Sequence, residues 1–127
     1  MKEQTPSGEE HAPFEVATLF ELLWTALADL LGSAATATLL RRSVKRAASR
    51  VPELADLTIK REGLEYCYVL PPAWKERTND TALSELREIA RELGPLLVEL
   101  TGPVVIQRLR GIPELERCRL FHPENER

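Results

Sequence analysis

The segment between Pro13 and Gly32 is apolar around most of a helical cylinder, and this feature limits the fold more than any other. One set of apolar residues recurs at steps of three and four, the period of a helical face: Val16, Phe20, Leu23, Leu27 and Leu30. A second set widens that face: Leu19, Leu22, Trp24, Ala26 and Leu31. A helix that is apolar on most sides has to be nearly surrounded by protein, so we expect a first helix over residues 14–31 that needs cover.

A second helix is expected over residues 34–51. Gly32 can take the left-handed conformation that ends one helix, and Ser33 is predicted to cap the next by accepting a backbone N–H. The expected buried face is Ala37, Leu40, Val44, Ala47 and Val51, with Pro52 closing the helix. Because the connection is so short, the two helices are predicted to form an antiparallel hairpin.

The hydrophobic period then changes from 3.6 to 2, which predicts a β-hairpin. Apolar and polar residues alternate over 57–61 and again over 64–70, and Glu62-Gly63 is predicted as the two-residue turn. The alternation places Tyr66 and Tyr68 on one side, with Leu64, Leu70 and Ile59 as companions. Cys67 is expected on the opposite side, as a small buried filler.

A third helix is expected after the cap residues at 78–81. Its predicted apolar stripe is Leu83, Leu86, Ile89, Ala90, Leu93, Leu97 and Leu100; its predicted polar face is Glu85, Arg87, Glu88, Arg91 and Glu92. Gly94-Pro95 is predicted to kink or split it. The chain is expected to break at residues 101–103. Residues 104–110 are then predicted to form a short helix in preference to a strand, and 114–121 are predicted to form either one helical turn or a short strand.

These patterns predict a helix-dominated α+β fold: an antiparallel helical hairpin, one β-hairpin, a long kinked helix and short C-terminal elements. Residues 13–122 are expected to form a single domain, with a disordered tail at 1–12 and a second tail at 123–127. The order helix, helix, hairpin, helix resembles that of small domains in vesicle-tethering subunits and in bacterial 4-vinyl-reductase-like proteins. That resemblance implies dimerisation and an apolar ligand, and it transfers no residue to this chain.

Five basic residues cluster on the second helix with no acid among them: Arg41, Arg42, Lys45, Arg46 and Arg50. We predict partner binding by Arg42, Lys45, Arg46 and Arg50, with an acidic protein surface as the fitting partner. The interpretation that we favour for the cluster as a whole is that it is solvated or paired with the first helix, whose only charges are acidic. In a helical hairpin Glu21 would then approach Lys45, and Glu15 would approach Arg50.

Three aromatic residues complete the candidate partner-binding set: Tyr66, Tyr68 and Trp74. The tyrosines are expected either to pack on the helices with their hydroxyl groups at the rim or to contact a partner. Trp74 lies in a polar loop, where a large ring either folds back on the domain or anchors a partner.

No catalytic, metal or cofactor residue is predicted. Cys67, Cys118, His11 and His122 are the only soft metal ligands, and Cys118 with His122 is a single pair where a structural zinc site needs four ligands. Nucleophile motifs and glycine-rich phosphate loops are absent from the sequence. We therefore expect a protein that is not an enzyme and holds no cofactor.

The expected function is that of a cytoplasmic association module: an adaptor, sensor or regulatory subunit. The 127 residues carry a net charge of −3, which disfavours nucleic acid, and no apolar run is long enough for a bilayer. The polar N-terminus lacks a signal-peptide pattern, and two cysteines fit a reducing compartment. Because the first helix and a two-stranded sheet are expected to need more cover than one chain provides, a homodimer is predicted. The alternatives are nucleic-acid binding by the second helix and an apolar ligand between the first helix and the tyrosines.

Overall fold

The computed structural model describes residues 15–75 and 80–121, which form a helix-dominated α+β fold. The helices are α1 (Val16–Leu31), α2 (Ser33–Ala48), α3 (Asp80–Thr101), α4 (Val104–Arg110) and α5 (Pro113–Arg117). The strands β1 (Thr58–Glu62) and β2 (Glu65–Val69) form one antiparallel sheet. Two 3-10 helices, Pro52–Asp56 and Pro72–Lys75, flank this sheet. The predicted tails, the caps at 78–79 and His122 lie outside the described residues.

Helix α1 forms the centre of the core, and its cover comes from the same chain. It contacts α2, α3, α4, α5 and the second 3-10 helix. Its fully buried side chains are Val16, Leu19, Phe20, Leu23 and Leu27. Of the predicted stripe, only Leu30 is exposed. The expected shortage of cover for this helix is therefore wrong, because α3 to α5 fold over the sides that the α1–α2 hairpin leaves open.

Gly32 alone separates α1 from α2, and the predicted cap at Ser33 is wrong. Gly32 has φ 90° and ψ 158°, a conformation that favours glycine, and its N–H donates to the Ala28 carbonyl. Ser33 is already the first residue of α2 and makes no capping hydrogen bond. The hydroxyl of Thr36 instead donates to the Gly32 carbonyl at 2.8 Å. The helix ends at Ala48, earlier than expected, because the chain turns before Pro52.

The β-hairpin is present, but its turn lies one residue later than predicted. Glu62 pairs with Glu65, so Gly63 and Leu64 form the turn, with Gly63 at φ 64°. Leu64 is consequently 90% exposed instead of packing beside the tyrosines. Ile59, predicted as a cross-strand companion of the tyrosines, pairs with Tyr68. Cys67 is only half-buried, because it faces the solvent side with exposed Lys60 opposite.

Helix α3 continues through Pro95 without splitting. Six of the seven predicted stripe residues are buried, and the seventh, Leu100, is 67% exposed because it lies at the last turn. Glu85 was placed on the polar face but is buried. The helical interpretation of residues 104–110 is confirmed as α4. The last segment forms α5 and a turn, and none of the described residues from 111 to 121 belongs to a strand.

Candidate functional site

The basic residues of α2 fall into two groups, those with a partner in the fold and those without. Arg50 and Arg41 hold neighbouring elements. Arg42, Lys45 and Arg46 are exposed and form no ion pair with any residue in 15–75 or 80–121. Three of the four basic residues predicted to bind a partner, Arg42, Lys45 and Arg46, are thus exposed and unpaired among the described residues.

Arg50, the fourth, bridges two helices. Its guanidinium donates to Glu88 Oε1 at 2.8 Å and to Glu92 Oε2 at 2.7 Å, one turn apart on α3. Hydrogen bonds to Glu88 and Glu92 raise the pKa of Arg50, since both favour the charged form. The predicted pairing of Arg50 with Glu15 and of Lys45 with Glu21 is wrong. The acids that Arg50 meets are on α3, because the C-terminal end of α2 packs along that helix.

Arg42 and Arg46 lie on one wall of a groove between α2 and α3, which we call the α2–α3 groove. Its opposite wall is formed by Gly94, Pro95, Leu96, Val98 and Glu99, and it encloses about 700 Å³. Arg42 and Arg46 are one helical turn apart, so their side chains lie on the same face. Pro95 and Val98 are exposed and give the groove an apolar surface beside the two cations.

The sequence of α3 explains the shape of this wall. Gly94 is buried and lines the groove without a projecting side chain. Pro95 is the next residue of α3, and its exposed ring is apolar where the exposed face of a helix is usually polar. From the sequence, these two residues predicted only a kink or a break in the helix, and not the wall of a groove.

Arg41 and Lys45 border a second groove, on the other side of the exposed face of α2, which we call the α2–β1 groove. Val44, Leu54, Leu57 and Ile59 are its buried apolar residues, Ala48, Ala55 and Thr58 complete it, and it encloses about 360 Å³. Arg41 Nε donates to the Ile59 carbonyl at 3.2 Å, which ties α2 to β1. Sequence patterns gave no sign of this groove, because it depends on where the first 3-10 helix packs.

Tyr68 belongs to an aromatic cluster between α1 and the sheet. The Tyr68 ring lies 4.8 Å from Phe20 and 4.9 Å from Trp24, measured between ring centroids. Burial raises the pKa of Tyr68, and the charge of Glu21 raises it further. Tyr66 lies opposite Arg61, whose guanidinium carbon is 5.8 Å from the ring centre. Ring contacts thus occupy part of the space between α1 and the tyrosines, and the ligand site expected there stays a prediction.

Trp74 folds back on the domain, as one of its two interpretations stated, and is not accessible to a partner. Its ring is fully buried, 6.0 Å from Phe20, and its Nε1 donates to Glu85 Oε1 at 2.8 Å. This bond explains why Glu85 is buried: the indole N–H needs an acceptor, and the carboxylate needs a donor. Neither Trp74 nor the two tyrosines line the grooves beside the cations.

The cysteines lie in different environments. Cys118 is buried near the end of α5, and burial raises the pKa of its thiol, which favours the protonated form over the nucleophilic thiolate. Its carbonyl accepts hydrogen bonds from Arg87 Nε at 3.0 Å and Nη2 at 2.9 Å. Within 15–75 and 80–121, no three His, Cys, Asp or Glu residues lie close enough to hold a metal ion. His11 and His122 lie outside those ranges.

Comparisons with protein families, with characterised proteins and with solved structures give no match to this chain. The resemblance in element order to vesicle-tethering domains therefore has no support from a related structure. Among the described helices, none has the length and apolar character to cross a membrane. The grooves and their cations are what remains to suggest a function.

Proposed function

We propose that this chain is a non-catalytic binding module that docks an acidic segment of a partner protein in the α2–α3 groove. The observation that carries the proposal is the position of Arg42 and Arg46. Both are exposed, neither forms an ion pair with a described residue, and both line a groove whose other wall offers Pro95 and Val98. Regulatory and adaptor roles at an intracellular site are part of the same proposal.

The geometry favours a helical segment as the partner. Because Arg42 and Arg46 are four residues apart, two carboxylates at the same spacing on a partner helix can meet both guanidinium groups. An apolar side chain between those carboxylates would lie against Pro95 and Val98. Arginine suits this role, because its planar fork can bind both oxygens of a carboxylate.

Peptide selection followed by affinity measurement tests the proposal. Fifteen-residue peptides would be selected from a displayed library on the wild-type protein, and their affinity measured by fluorescence anisotropy. We expect acidic, amphipathic peptides that bind more weakly as the salt concentration rises. Arg42→Glu with Arg46→Glu is expected to abolish binding. Lys60→Glu with Lys75→Glu, an equal change of charge elsewhere on the surface, should leave binding intact.

Peptides that bind both double variants equally well would contradict the proposal. The same would follow from selected peptides that carry no acidic residue. Circular dichroism of each variant separates loss of binding from loss of fold.

Nucleic-acid binding is the second candidate for the same surface, favoured by the regular spacing of the exposed cations on α2. The net charge of −3 counts against it, because a duplex is a long run of phosphate charges that many cations on the protein have to neutralise. A 20-base-pair duplex titrated at low salt decides between the two. If the wild-type protein binds the duplex and the Arg42→Glu, Arg46→Glu variant does not, the partner of this surface is a nucleic acid and not an acidic protein segment.

The homodimer stays a prediction, and its support no longer comes from α1. Exposed apolar side chains at the junction of α3 and α4, Leu100 and Val104, are the surface that a second copy would cover. Sedimentation equilibrium measures the oligomeric state of the wild-type protein and of the Leu100→Asp variant, and we expect a dimer for the first and a monomer for the second. A dimer that persists in the variant would place the interface elsewhere.

A further inference from the structure

The α2–β1 groove is the second open concavity described above, and the proposed function does not use it. Its inner surface is apolar, formed by buried Val44, Leu54, Leu57 and Ile59. Its volume of about 360 Å³ lies in the range of small-molecule sites in proteins. None of the residues that line it is acidic.

Two cations stand at the rim of this groove with donors available. Lys45 forms no ion pair or hydrogen bond with any residue in 15–75 or 80–121. Arg41 uses only its Nε within those ranges, to the Ile59 carbonyl, so its two terminal nitrogens have no acceptor there. Arg41 and Lys45 are four residues apart and therefore project from the same face of α2.

The wall formed by β1 favours a small molecule over an added strand. In the antiparallel ladder, Ile59 and Tyr68 form a pair whose carbonyls face away from the partner strand, as the alternation from the Gly63-Leu64 turn requires. An incoming strand would need the Ile59 carbonyl as an acceptor. Arg41 already occupies that carbonyl, so strand addition would first have to displace a guanidinium group.

We propose that the α2–β1 groove binds a small apolar carboxylate, such as a medium-chain fatty acid. The hydrocarbon chain lies against Val44, Leu54 and Leu57, where its transfer from water supplies the affinity. The carboxylate lies between the terminal nitrogens of Arg41 and the Lys45 ammonium group. Charge complementarity selects an anion over a neutral molecule of the same shape.

Decanoate is the probe, and decan-1-ol is its neutral control. Methyl resonances of the full chain would be followed by ¹H–¹³C NMR during titration with each compound. We expect decanoate to shift the methyl groups of Val44, Leu54, Leu57 and Ile59. We expect decan-1-ol to bind about tenfold more weakly, the ratio that a charge-assisted hydrogen bond of about 1.5 kcal/mol provides.

Three variants separate the contributions. Lys45→Gln removes a cation that holds no element together, so it is expected to weaken decanoate about tenfold without changing the fold. Ala55→Trp places a large ring at the exposed edge of the groove and is expected to abolish binding. Arg42→Gln is the matched control, because Arg42 lies in the other groove. It should leave decanoate binding unchanged, whereas it should weaken the acidic peptides above.

Several results would overturn the proposal. Equal affinity for decanoate and decan-1-ol would show that the cations do not recognise the ligand. If decanoate changes the chemical shifts only of methyl groups outside the groove, the binding site lies elsewhere. Groove methyl signals that change with protein concentration in the absence of ligand would identify a second copy of the chain as the occupant. Because the peptide and decanoate assays use different cations, each proposal can fail while the other holds.

Discussion

At the scale of single residues, the fold depends on polar groups that find each other inside the core. Trp74 and Glu85 are the clearest pair, since both are buried and one hydrogen bond of 2.8 Å joins them. Periodicity alone placed Glu85 on the solvent side of α3. It could not do better, because the partner of Glu85 comes from the second 3-10 helix, eleven residues earlier, whose position depends on the whole fold.

Trp74→Phe is expected to destabilise the protein by about 1–3 kcal/mol through the unpaired carboxylate, in addition to the loss of ring volume. Urea denaturation measures the free energy of unfolding. Adding Glu85→Met removes the buried acceptor as well and should recover part of that loss. A double variant less stable than Trp74→Phe alone would show that Glu85 has another task.

Tyr68 links a single hydroxyl group to the pH dependence of stability. Burial, and secondarily Glu21, raise its pKa in the folded state above the ordinary value near 10. The folded protein therefore keeps the proton longer than the unfolded chain does. The stability linked to Tyr68 is fully present below about pH 10 and is lost as the pH rises through the folded-state pKa.

Tyr68→Phe removes the group that titrates and preserves the ring that packs on Phe20 and Trp24. Urea midpoints measured from pH 8 to pH 11 should fall less steeply for the variant than for the wild-type protein. Cys118, whose pKa burial also raises, contributes a decline in both proteins and cancels in the comparison. Parallel curves would mean that Tyr68 is no more buried than in the unfolded chain.

At the scale of elements, the sequence located nearly every helix and strand, and its errors lie at their ends. Periodicity over several turns determined α1, α2 and α3. The hairpin turn was shifted by one residue because Glu62-Gly63 and Gly63-Leu64 are both acceptable turn pairs, and only the packing of Ile59 with Tyr68 decides between them. Ser33 failed as a cap because Gly32 alone makes the turn.

Gly32→Ala is expected to cost about 1–3 kcal/mol of unfolding free energy. No atom would meet an added Cβ within 4 Å, so the cost comes from the backbone conformation at φ 90° alone. Ser33→Ala is the matched control: Ser33 is exposed and makes no capping bond, so its variant should change stability by less than about 0.5 kcal/mol. Equal effects at the two positions, measured by thermal unfolding, would contradict this account.

At the scale of the whole molecule, the C-terminal elements complete the core. Leu115, Leu120 and Phe121 are buried in the same cluster as the side chains of α1. Sequence patterns could not place these residues, because short segments without a clear period are positioned by contacts made elsewhere. For the same reason the groove walls were not predicted: each combines α2 with an element distant in sequence.

Arg87 holds this C-terminal segment through two hydrogen bonds to the Cys118 carbonyl. Arg87→Ala is expected to cost about 1–3 kcal/mol and to increase the binding of a hydrophobic dye, as the cover of α1 loosens. Arg91→Ala is the control, since Arg91 lies one turn further on α3 and its one ion pair with a described residue is an exposed contact of 3.9 Å to Glu88. Dye fluorescence that rises equally in both variants would show that Arg87 does not fasten the segment.

Arg41 has a consequence that extends beyond a single copy of the chain. An isolated two-stranded sheet has open edges, and an open edge is a template on which identical chains can stack into fibrils. By occupying the outward carbonyl of Ile59, Arg41 makes β1 a poor template. We therefore expect loss of this arginine to shorten the lag before aggregation, even where the native fold survives.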